Sequence, residues 1–169
     1  MEEHDGIISD RHRSAVVRSV LDDPRSHRTS ATPVPDPEVA RRIVERMRWL
    51  AFPGFFGPRV AGTGDLEASL NRTLDDLLEG LRPQLAIAFA YESLDGAGCP
   101  AAEASRRADQ ATVRFIERIP AVRSLLAADA VAGFDGDPAV VHPDEAILVH
   151  PGLAATIVHR FAHELHLAG

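Results

Sequence analysis

From Val39 onward the chain alternates apolar and polar positions with a period near four. Ile43, Met47 and Leu50 recur at three- to four-residue spacing, with Val39 and Trp49 nearby, and predict a helix from Glu38. The segment Pro53-Gly54-Phe55-Phe56-Gly57-Pro58 ends it, because proline cannot continue the hydrogen-bond ladder and glycine favours turns. Phe52, Phe55 and Phe56 are expected to plug the junction, and Trp49 to be buried. Asp65 is a candidate N-cap for the next helix. Its stripe is Leu66, Leu70, Leu74, Leu77, Leu78 and Leu81, after which Pro83 should kink or restart the element and the apolar residues from Leu85 to Leu94 continue it. The glycine-bearing segment Asp95 to Pro100 closes it. Pro100 suits the first turn of a further helix carrying Ala104, Ala108, Ala111, Phe115 and Ile119. Pro120 should open another, with Val122, Leu125, Leu126 and Val131 inward. A turn at Asp135-Gly136-Asp137-Pro138 follows, then a short helical stretch from Pro143 to His150 and a last helix from Leu153 to Leu167. No segment alternates with period two, and no internal or hexapeptide repeat occurs. The expected fold is all-α, a multi-helix bundle.

Residues 1–37 differ. They are polar, end in Pro33-Val34-Pro35-Asp36-Pro37 and read as an arm, mobile or docked on a partner subunit, with one short helix around Ser14 to Leu21. The helical domain then covers residues 38–169. At 169 residues, 45% hydrophobic and 25% charged, the chain can bury a core without disulfides. The net charge is −7, which disfavours nucleic acid as a partner. All 18 basic residues are arginine, so neither a P-loop nor Schiff-base lysine chemistry is available. The one cysteine, Cys99, can form no intramolecular disulfide and fits a reducing cytosol. The acidic start has no apolar signal segment, and no apolar run is long enough to span a bilayer. A cytoplasmic protein without membrane contact is therefore expected.

Two constellations could carry chemistry. His159, His163 and His166 stand at i, i+4 and i+7, within about 40° on one helical face. Ile157, Phe161 and Leu165 lie opposite. Three imidazoles could bind zinc. The protease pattern HExxH is absent, however, and a solvated helix face is the plainer reading. The second constellation is Asp135 and Asp137. Asp137 precedes a proline, which pushes its backbone to an extended form and presents the carboxylate from a turn. It could meet an ammonium or hydroxyl of a small ligand, or simply bond its own backbone. The doublets Arg41-Arg42 and Arg106-Arg107 read as exposed helix faces.

Four segments in order change these weights. They are Ile119 to Asp129, Phe134-Asp135-Gly136-Asp137-Pro138-Ala139, His150-Pro151-Gly152-Leu153, and His159-Arg160-Phe161-Ala162-His163-Glu164-Leu165. Together they resemble bacterial serine O-acetyltransferase, in the class with a long N-terminal extension. The resemblance is strongest over residues 115–169 and general over 38–114. It implies a helical N-terminal domain that drives homo-oligomer assembly, followed in the family by a left-handed β-helix holding the general base and the acetyl-CoA cleft. None of those β-helix positions falls within these residues. The resemblance thus implies no catalytic residue in this chain, no cofactor bound by it, and acetyl-CoA as co-substrate of the complete enzyme. Asp137 matches the aspartate that helps hold substrate serine, while Pro138 and Ala139 match its supporting turn. His159, Arg160 and His163 match positions that look structural, so no metal is expected. His150 departs from the family, where an aromatic residue usually precedes Pro-Gly. Cysteine synthase is a further partner the family suggests. Two alternatives stay open: a stand-alone helical oligomerisation or regulatory module, and a helical metal-binding protein using the histidine face.

Overall fold

A computed structural model describes residues 8–27, 33–91 and 99–169. The segment 95–98 expected to close the third helix, and the acidic start, lie outside the described residues. The chain divides into two compact units, residues 1–32 and 33–169.

In the first unit α1 spans Asp10–Leu21, starting four residues before the helix expected from Ser14 and ending where expected. Ser9 caps it, its side chain accepting from the His12 amide, and none of its residues is buried. The chain then turns back on itself locally, with His27 Nδ1 donating to the Val20 carbonyl at 2.9 Å.

In the second unit all five remaining elements are helical, and no strand occurs among the described residues. The all-α expectation holds. α2 is Pro37–Ala51, with Asp36 as N-cap accepting from the Glu38 amide at 2.8 Å and Pro37 in the first turn, where its missing N–H costs nothing. It buries Ile43, Met47, Leu50 and Ala51. α3 is Thr63–Tyr91. Asp65 lies within its first turn, two residues past the start, where the carboxylate still favours the positive helix end. α4 is Ala101–Gly136, α5 Pro143–Val149 and α6 Pro151–Ala168.

Two expected breaks do not occur. Pro83 sits inside α3 and Pro120 inside α4, and both helices run through. Both prolines are on exposed faces. Each flanking stretch buries apolar residues on one stripe: Leu77 and Leu81 before Pro83, Phe89 after it; Phe115 and Ile119 before Pro120, Val122 and Leu126 after it. Each fully buried side chain of this size contributes about 1.5–3 kcal/mol. Summed over both flanks, three such side chains around Pro83 and four around Pro120 outweigh the roughly 3 kcal/mol cost of an interior proline. The continuous α4 also corrects the inward set. The stripe runs Phe115, Ile119, Val122, Leu126 and Ala130, which turns Leu125 and Val131 to the surface. In α3 Leu78 is likewise exposed, while Ser69 and Thr73 are buried. The Thr73 hydroxyl donates to the Ser69 carbonyl at 2.8 Å, so its burial leaves no unpaired group.

The main core joins α2, α3, α4 and α6, with Phe115, Phe161, Leu77, Leu126, Ile157 and Val122 fully enclosed. The Phe115 and Phe161 rings meet at 6.0 Å. A smaller cluster of Phe89, Ala104, Ala108, Ala111 and Ala168 closes the far end of α3 against α4 and α6, with Cys99 partly buried beside it. Phe52 enters the main core, Phe56 packs partly against it and Phe55 is exposed, so one of the three expected plugs faces solvent. Trp49 is half-buried, and the Arg46 guanidinium lies 4.4 Å from its ring centre. Gly54 and Gly57 take positive φ, +87° and +84°, which lets the chain reverse below Trp49.

Candidate functional site

α4 ends where Asp137 leaves the helix, with φ −117° and ψ 103°, the extended backbone that Pro138 imposes. One carboxylate oxygen, Oδ1, accepts from the Ala139 amide at 2.9 Å, and the Asp137 carbonyl accepts from Val140 at 3.0 Å. This is an Asx turn, and Pro138 and Ala139 form it as expected. The other oxygen, Oδ2, points to the His150 ring, 3.9 Å from Nε2. Asp137 thus keeps one oxygen committed to the backbone and one able to take an external partner. Asp135 does not share this turn. It lies in the last turn of α4 and is exposed, so the two carboxylates expected together are separated by their secondary structure.

His150 connects α5 to α6. A Cβ on Gly152 would stand 2.9 Å from His150 Cε1 and 3.1 Å from Nδ1, so the ring folds back into space that only glycine leaves open. Pro151 occupies the first turn of α6. His150 also borders a cleft of about 280 Å³ with Asp129, Gly133, Ala146 and Thr156. At the rim of this cleft Arg160 of α6 forks onto Asp129 of α4, Nε and Nη2 donating at 2.5 and 2.7 Å. The carboxylate holds the Arg160 guanidinium charged, raising its pKa. Sequence reading placed Arg160 as structural but did not find Asp129, whose partner lies 31 residues away with no local pattern to mark it.

Further along α6, Arg118 of α4 donates to both oxygens of Glu164 at 3.0 and 3.3 Å. The Glu164 carboxyl is lowered, chiefly by these hydrogen bonds, with the charges of Arg118 and His163 adding to them. Arg114 and Arg107 donate to the last carbonyls of the chain, Ala168 at 3.1 Å and Gly169 at 3.2 Å. Of the doublets, Arg41 bonds Glu38 and Glu45, Arg106 bonds Glu103, Arg107 lies 4.2 Å over the Phe89 ring, and Arg42 is exposed.

His159, His163 and His166 are all exposed on α6, with Ile157 and Phe161 fully buried on the opposite side. The His159 and His163 rings stack at 6.1 Å with 19° between planes. Among the described residues no group of three or more His, Cys, Asp or Glu is placed to hold a metal ion. None of their helices is long and apolar enough to cross a membrane.

The second unit is thus an all-helical bundle carrying a carboxylate turn where three helices converge. No family model matches the chain. A plasmid-encoded serine acetyltransferase of Synechococcus elongatus is 29% identical over 139 residues, covering 81% of this chain and 44% of that protein. The crystal structure of serine acetyltransferase isoform 3 from Entamoeba histolytica, a complex with cysteine, superposes with a TM-score of 0.59. It shares 20% identity and covers 92% of this chain and 49% of the other. The chain spans about half the length of these relatives. By sequence and by fold it resembles the N-terminal helical domain of a serine O-acetyltransferase, as its four C-terminal segments imply.

Proposed function

We propose that this chain is the helical assembly domain of an enzyme that transfers acetyl from acetyl-CoA to L-serine. The similarity to one serine acetyltransferase across 81% of the chain carries this reading, and the fold comparison supports it. In the complete enzyme Asp137 holds the substrate. Its Oδ1 is fixed by the Ala139 amide, which aims Oδ2 away from the backbone. A carboxylate so held pairs with the serine ammonium by a charge-assisted hydrogen bond. Pro138 and Ala139 contribute the shape of the turn. The serine hydroxyl then attacks the acetyl thioester, its proton passing to a base outside these residues, with CoA thiol released. The chain binds no cofactor of its own. Apolar side chains left exposed on α4, α5 and α6, among them Val113, Val131, Leu148 and Leu167, supply surface for a homo-oligomer.

Thiol release from acetyl-CoA and L-serine tests this. In the full-length gene product, Asp137→Ala should raise the serine KM about 10- to 100-fold, the worth of one charged hydrogen bond. The KM for acetyl-CoA should not change. Unaltered serine kinetics would remove Asp137 from the site. The 169-residue chain alone should release no thiol, and turnover by it would overturn the assembly-domain reading.

A further inference from the structure

We infer that His159 and His163 form a chelate for one borderline divalent ion such as Zn²⁺ on the outer face of α6. This inference does not rest on the acetyltransferase reading. The helix is continuous across both residues, and Ile157 and Phe161 anchor its opposite face in the core, so the two imidazoles are held on the same outward side one turn apart. Both are exposed, and their rings stack on each other. Their nitrogens are therefore accessible to an ion from solvent. The geometry is close to what a metal requires. With zinc–nitrogen bonds of 2.0–2.1 Å and a tetrahedral angle, two ligating rings have centres about 5 Å apart. The observed separation is 6.1 Å with nearly parallel planes, so a change of about 1 Å by side-chain rotation suffices.

The neighbouring groups limit the site to two protein ligands. Glu164 follows His163, but Arg118 occupies both of its oxygens. His166 lies on the same face seven residues from His159, about 10 Å along the axis, too far to share an ion with it. Water fills the remaining positions. Late first-row ions that favour imidazole fit this donor set, whereas Mg²⁺ and Ca²⁺, which favour oxygen, do not. Bridging one helical turn also gives the ion a reason to stabilise the folded chain, since the unfolded chain offers no preformed pair.

The test uses the tag-free 169-residue chain, stripped of metal and titrated with ZnCl₂ at pH 7.5, by calorimetry and by thermal unfolding. One ion per chain should bind, and Tm should rise with zinc but not with MgCl₂. His159→Ala and His163→Ala should each weaken binding at least tenfold and abolish the rise, with unchanged circular dichroism before zinc is added, while His166→Ala should leave both intact. The histidine side-chain NMR signals of His159 and His163 should move together on titration. Failure to bind zinc, or binding that survives both single alanine variants, would overturn the site. Neither outcome bears on the serine kinetics of Asp137→Ala.

Discussion

Gly57 is the residue on which the α2 end depends most directly. Its φ of +84° is in the left-handed region, and an added Cβ would stand 2.5 Å from Trp49 Cδ2, well inside contact distance. Gly57→Ala should therefore cost about 1–3 kcal/mol from backbone strain and the displaced indole together. Urea unfolding followed by the fluorescence of Trp49, the single tryptophan, reads this cost. An unchanged midpoint would mean that the turn relaxes freely. At this scale the sequence was partly legible. Pro53-Gly54 and Gly57-Pro58 marked the turn, because these residue types report backbone geometry locally. That Trp49 lies over Gly57, or that Asp129 holds Arg160, depends on residues brought together by packing, and no local pattern encodes it. Asp137 was legible for a different reason. A following proline fixes its extended backbone, and the Asx turn follows from chemistry within three residues.

Among elements, the helical period identified every helix of the second unit but misplaced their breaks. Pro120 is exposed, yet α4 continues through it because Ile119 and Val122 are buried on either side. Its ring removes one hydrogen bond and crowds the Ile116 carbonyl, a cost of roughly 3 kcal/mol. Proline also restricts the unfolded chain, which returns about 0.4–1 kcal/mol. Pro120→Ala should thus stabilise the bundle by about 2–2.6 kcal/mol, seen as a higher urea midpoint with unchanged helical circular dichroism. A loss of stability would show that the proline bend is needed for α4 to follow the core. The same argument explains Leu125 and Val131. A restart at Pro120 would have reset the phase of the stripe, whereas a continuous helix carries the register of Phe115 through to Ala130 and leaves those two outside.

Over the whole molecule, α6 is tied to α4 by two arginine–carboxylate forks on top of the buried Phe115–Phe161 contact. The Arg118–Glu164 fork makes stability depend on acid. Glu164 is lowered when folded, so its ionised form favours the native state; the contribution is complete above the ordinary glutamate range and is lost as pH falls through the lowered value. Between about pH 5 and 3, Glu164→Gln should flatten the acid side of the stability profile, measured as Tm against pH. A variant profile parallel to the wild type would remove this pair as a source of acid sensitivity. The sequence by itself determined the all-α class, the turn at Asp137 and the shared outward face of His159 and His163. Each follows from helical period or from bonding within a few residues, and both are properties of the local chain. Only the tertiary structure decided that two prolines do not break their helices, that Asp135 and Asp137 part company, and that His150 turns toward Asp137 in the space Gly152 leaves. Those outcomes are set by competition between a local preference of a few kcal/mol and burial summed over residues distant in the chain, a sum that exists only once the helices have packed.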